Sequence, residues 1–135
     1  MTLVDTSILI DKLRKNKNPK TLLFDRLHAT KAPFCISFLT YHEILQGAKS
    51  DNEFQKLSSY LSTQTMIALP ETPDVYADSA KLYFKLRRLG VTVRNTIDVM
   101  IAYTAVYYKL PLLHNDRDFD LIADSTPELI ILNAD

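Results

Sequence analysis

The sequence predicts an α/β fold: a three-layer α/β/α domain on a parallel sheet of four or five strands, with residues 1–135 forming one domain. Three observations carry this. Short apolar runs alternate with helical patterns along the chain, and strands separated by helices pair in parallel through right-handed crossovers. The 135 residues are 47% apolar and 24% charged, enough to fill one core and too apolar for a disordered chain. No repeat, low-complexity tract or linker divides the sequence.

Each element has its own signal. "TLV" (2–4) is the first strand and runs into a helix, "SILIDKLRK". "KTLLFDRLHA" (20–29) is a second helix, with Leu23, Phe24 and Leu27 on one face. "FCIS" (34–37) is a strand and "TYHEILQGA" (40–48) a helix ending near Gly47. "SDNEFQKLSSYL" (50–61) is a helix whose Ser50 and Glu53 have capping-box spacing. "MIAL" (66–69) is the next strand. In the helix 72–90, Thr72 suits the N-cap, Pro73 the first turn and Gly90 the stop. Its apolar positions Val75, Leu82, Tyr83, Leu86 and Leu89 recur at helical spacing. "TIDVMIAYTAVYYK" (96–109) is apolar nearly all round and therefore a buried helix. "LPLLH" (110–114) is a strand, "DFDLIA" a short helix, and "LIIL" (129–132) the last strand.

Composition excludes several function classes. With two glycines, Gly47 and Gly90, the chain has no phosphate-cradling Gly-rich loop. Cys35 is the only cysteine, so no intramolecular disulfide forms, and its apolar setting in "PFCIS" marks it as a core residue. No apolar run approaches the length of a membrane span. The N-terminus has an acid at position 5 and no basic region, so it does not read as a signal peptide, and a cytoplasmic protein is expected. Sixteen basic and sixteen acidic residues cancel, but they are segregated. Residues 12–31 carry Lys12, Arg14, Lys15, Lys17, Lys20, Arg26 and Lys31 against Asp25. Residues 111–135 carry Asp116, Asp118, Asp120, Asp124, Glu128 and Asp135 against Arg117.

In open parallel sheets, ligands bind beyond the carboxyl ends of the strands, at a switch in strand order. That rule selects acids from four chain-distant segments. Asp5 ends the first strand, and Glu43 lies early in the helix after the second. Asp98 opens the buried helix, and Asp116 and Asp118 follow the fourth strand. Each also has a purely structural use. Asp5 suits a turn bonded near Ser7. Thr40 and Glu43 have capping-box spacing, as do Asn95 and Asp98. Asp116 or Asp118 can cap the short helix. Capping does not, however, require every capped terminus to face one pocket. Carboxylates without cysteine or clustered histidine are a hard oxygen set that suits Mg²⁺ or Mn²⁺. Such ions also offset like charges that repel one another, and a pair of them supports phosphodiester hydrolysis.

The segments "LVDTSILI", "SFLTYHEILQG", "TIDVMIAYTAV" and "LLHNDRDFDLIA" occur in the order and spacing of the PIN-domain ribonucleases. The chain resembles most the VapC-type toxins of toxin–antitoxin pairs. The resemblance implies a PIN-like fold and a metal-dependent endoribonuclease whose acid quartet falls on Asp5, Glu43, Asp98 and Asp116, with Mg²⁺ or Mn²⁺ as cofactor. Asp118 matches a further acid, and Ser7 a residue orienting a metal-bound water. Arg94 is placed to contact an RNA phosphate or to pair with a site acid. Asp120 has no assigned role and compensates a helix dipole. The implied partners are an RNA substrate, a small cognate antitoxin and a second copy of the chain, with no membrane. Residues 12–20, Arg87, Arg88 and Arg94 are the expected RNA-backbone contacts. Tyr107 and Tyr108 are expected at protein contacts, and Tyr103 in the core. Two rivals remain at this level. One is a metal-free ribonuclease using His28, His42 or His114 as acid and base. The other is a non-enzymatic RNA- or protein-binding module on the same fold.

Overall fold

The structure, a computed structural model, describes residues 1–133. Of the acidic C-terminal segment, Asp135 lies outside the described residues. The chain begins with β1 (Thr2–Val4), α1 (Thr6–Leu13), α2 (Pro19–Ala29) and β2 (Phe34–Ser37). It continues through α3 (Phe38–Gln46), α4 (Asp51–Leu61), β3 (Met66–Ile67) and α5 (Pro73–Arg88). It closes with α6 (Thr96–Tyr108), β4 (Leu112–Leu113) and α7 (Arg117–Asp124).

The four strands pair in parallel in the order β3-β2-β1-β4. Side chains alternate across the sheet with the period of two that strand geometry imposes. Leu3, Cys35 and Leu112 share one face, packed under Leu86, Val99, Ala102 and Phe119 of α5, α6 and α7. Val4, Ile36 and Leu113 share the other, packed under Ile8, Phe24, Ile44 and Leu57 of α1 to α4. The result is three layers with two cores. Both faces of the sheet are covered, which is why its strands read as unbroken apolar runs.

Local signals account for most helix ends. Thr72 caps α5 by accepting from the Val75 N–H, and Pro73 fills its first position. Gly90 follows the helix with φ of +78°, a conformation that costs glycine nothing. Leu89, read from the sequence as part of the buried stripe, is instead the C-cap and 67% exposed. Ser50 caps α4 by accepting from the Glu53 N–H.

The last three strands are shorter than the sequence suggests. "MIAL" pairs only at Met66 and Ile67, and "LPLLH" only at Leu112 and Leu113. Pro70 and Pro111, which have no N–H to donate to a ladder, flank them. "LIIL" reduces to one parallel bridge, Ile131 to Leu112, at the edge beyond β4.

β1 sits between β2 and β4, so the connections run one way from β1 to β3 and then cross back to β4. The carboxyl ends of β1 and β4 are therefore the switch point. The Asp5 N–H donates to the Leu113 carbonyl at 2.9 Å and fixes that juncture.

Candidate active site

Asp5 leaves the end of β1 and caps α1. Its Oδ2 accepts from the Ser7 N–H at 3.0 Å and from Ser7 Oγ at 2.7 Å. The turn use foreseen for Asp5 is thus real, but it occupies only one oxygen. Asp5 is 2% exposed, and its Oδ1 has no hydrogen-bond partner. Burial pushes the carboxyl up to about 6 against the pull of the Ser7 bonds, and the Glu43 charge adds to the rise.

Ser7 ties this acid to β4. Its single hydroxyl proton goes to Asp5, and its oxygen accepts from the Asn115 N–H at 2.8 Å. Ser7 is thus a strut between Asp5 and the loop carrying Asp116.

Glu43 is not part of a capping box. β2 runs into α3 with no loop, and the cap is Ser37, which accepts from the Leu39 N–H at 3.0 Å. Thr40 is therefore inside the helix, and Glu43 lies six residues past the cap, where capping does not explain it. The half-buried Glu43 accepts from Thr6 Oγ1 at 2.9 Å.

Asp98 stands in the first turn of α6, whose cap is Asn95. Its carboxyl rises to about 7, first through burial and then through the charges of Asp5, Asp116, Glu43 and Asp118. Asp116 caps α7, its Oδ1 accepting from the Asp118 N–H at 3.0 Å. Asp118 is 5% exposed, and its Oδ2 accepts from Arg94 Nε at 3.2 Å. Arg94 Nη2 also lies 3.7 Å from Asp116 Oδ1, so of its two expected uses the pairing with site acids is the one seen.

Asp98, Asp116 and Asp118 each bring one carboxylate oxygen within 4.8 Å of the others. Asp5 and Glu43 stand close enough for their charges to raise Asp98. All five acids stand out in the sequence, Asp118 as a further acid beside the quartet; its bond to Arg94, from another segment, is one of the two uses expected of that arginine. Asp120 stays outside the cluster, its side chain 64% exposed.

His28 and His42 are exposed, and His114 alone of the three is buried. His114 is buried, and its Nδ1 accepts from the Asp116 N–H at 3.1 Å. Its Nε2 lies 3.2 Å from Asp120 Oδ1 without the alignment of a hydrogen bond, and burial pulls its pKa down. His28 is exposed and lies against the Phe24 and Phe34 rings. Tyr103 is half-buried, while Tyr107 and Tyr108 are exposed and Tyr108 donates to the Ala68 carbonyl.

The donor set is all oxygen, several like charges converge, and a buried carboxylate oxygen is unpartnered. These features fit a hard divalent cation, which offsets the repulsion and takes up the free lone pairs.

A family model described as "PIN domain" matches residues 2–125. The chain is 31% identical over 129 residues to ribonuclease VapC11 of Mycobacterium tuberculosis, covering 93% of this chain and 94% of that protein. Among solved structures, the DNA-bound VapBC of Salmonella typhimurium superposes with a TM-score of 0.76 at 22% identity over 100% of each chain. A toxin-antitoxin complex from Klebsiella pneumoniae gives 0.69 at 24% identity over 96% of each.

Proposed function

This chain belongs to the PIN-domain family, and we propose that it is a metal-dependent endoribonuclease, the toxin of a toxin–antitoxin pair. What carries the reading is the meeting of Asp98, Asp116 and Asp118 oxygens within 4.8 Å at the switch point. The name of the related ribonuclease supports RNA as the substrate class. The toxin-antitoxin complex among the structural neighbours supports a small antitoxin as the partner. Residues 1–135 act as one nuclease domain, as a homodimer, in the cytoplasm. Among the described residues no helix is long and apolar enough to cross a membrane.

Asp5, Glu43, Asp98 and Asp116 would hold Mg²⁺ or Mn²⁺, with Asp118 as a further acid. A bound divalent ion supplies neutralisation of charge at a phosphodiester and a lowered pKa for water. The chain supplies the rest. Ser7 and Asn115 lock the β1 and β4 ends together, so the acids keep their spacing. Asp98, with its pKa at about 7, gives up a proton near neutrality when a cation takes its place. Arg94, with its side chain 73% exposed, holds Asp118 and keeps donors free for an RNA phosphate.

The test is cleavage of RNA by the purified protein with Mg²⁺ or Mn²⁺, with sequencing of the ends. We expect 3′-hydroxyl and 5′-phosphate ends, activity lost in chelator and restored by metal, and none from Asp5→Asn. Cyclic phosphate ends, or full activity in chelator, would overturn the reading. RNA binding without cleavage under any metal would favour the binding module.

A further inference from the structure

Two buried hydroxyls on different helices meet at one site acid. Thr6, at the start of α1, is 8% exposed, and Thr40, in the first turn of α3, is 0% exposed. Thr6 Oγ1 lies 3.1 Å from Thr40 Oγ1 and 2.9 Å from Glu43 Oε1. Thr6, the first residue of α1, has no preceding helical carbonyl to donate back to, and its hydroxyl reaches across to α3.

A threonine hydroxyl has one proton and two lone pairs. The carboxylate is the stronger acceptor, so the Thr6 proton goes to Glu43. Thr40 Oγ1 stands as a second acceptor for the same Thr6 proton, so the Thr6–Glu43 bond is the one that ties α1 to this acid. Without it, the long half-buried Glu43 side chain is free to turn toward solvent. Thr6 follows Asp5 directly, so one turn presents one site acid and steadies another.

We infer that Thr6 is a positioning residue that holds the Glu43 carboxylate toward the acid cluster. This rests on the nuclease reading above, and its test separates the two. Mn²⁺ affinity is measured by calorimetry on wild type, Thr6→Val, Thr6→Ser, Thr40→Val, Glu43→Gln and the double variant Thr6→Val/Glu43→Gln. Groups that orient metal ligands typically change affinity about 10–100-fold, and Thr6→Val is expected in that range. Thr6→Ser, which keeps the hydroxyl, stays near wild type, and so does Thr40→Val, which removes only a competing acceptor. Thr6→Val adds nothing on a Glu43→Gln background, because its effect passes through Glu43. In RNA cleavage, kcat falls for Thr6→Val while KM holds. Should Thr6→Val fail to fold, Thr6→Ala and Thr6→Ser carry the test: loss in the first and retention in the second support the inference, and equal affinities overturn it. Wild-type Mn²⁺ affinity in a folded Thr6→Val, or full additivity with Glu43→Gln, overturns the inference and leaves the nuclease reading standing. A wild-type protein that binds no Mn²⁺ overturns both.

Discussion

Replacing Asp98 by Asn should stabilise the metal-free protein at pH 8 and do so much less at pH 5. The carboxyl is raised from 3.8 to about 7 by burial and by four neighbouring acids. An acid with a raised folded pKa binds its proton more tightly folded than unfolded. Its full contribution is therefore present below 3.8 and is lost as pH climbs through about 7. At roughly 1.4 kcal/mol per pH unit, about three units give an upper bound near 4 kcal/mol. Asp98 is half-buried, and solvent screening reduces this to about 2 kcal/mol. Asn forfeits a favourable first-turn charge worth about 0.3–1 kcal/mol. The net gain at pH 8 is then roughly 1–1.5 kcal/mol, or about 3–5 °C in Tm for a chain of this length. At pH 5 the folded carboxyl is protonated but the unfolded one is already ionised, so about a third of the pH-dependent gain remains, and it vanishes only below 3.8. Thermal melts in chelator at both pH values check this. A lower Tm at pH 8, or an equal gain at both, would refute the claim that neighbouring carboxylates penalise this charge.

Three further expectations follow from the same geometry. Mn²⁺ at about a hundred times its dissociation constant should stabilise wild type by roughly 2.7 kcal/mol in melts, and Asp98→Asn by much less; equal shifts would remove Asp98 from the site. Asp120→Asn should cost only a few tenths of a kcal/mol and keep RNA cleavage, because that side chain is 64% exposed and outside the cluster. Asp116→Asn should lose cleavage with little change in melting, and the reverse outcome would mean that the end of β4 is misassigned.

The sequence by itself determined the layer order, the parallel pairing and most helix ends. Each of these is written within a few residues. Thr72, Pro73 and Gly90 act on backbone groups one turn away, and the alternation of Leu3 and Val4 assigns them to opposite cores whatever their partners are. It also brought Asp5, Glu43, Asp98 and Asp116 to one sheet edge, because the carboxyl ends of parallel strands lie together by topology. Tertiary structure decided everything that depends on side-chain aim. Thr40 has the spacing of a helix cap, yet β2 passes into α3 without a loop and Ser37 takes that role. Thr40 then accepts from Thr6, 34 positions away, whose hydroxyl also meets Glu43, 37 positions from it. Asp118 enters the cluster through Arg94, 24 positions away. Local spacing fixes where a carboxylate starts. Whether its oxygens come within ångströms of another depends on rotamers set by packing between segments that no short stretch of sequence encodes.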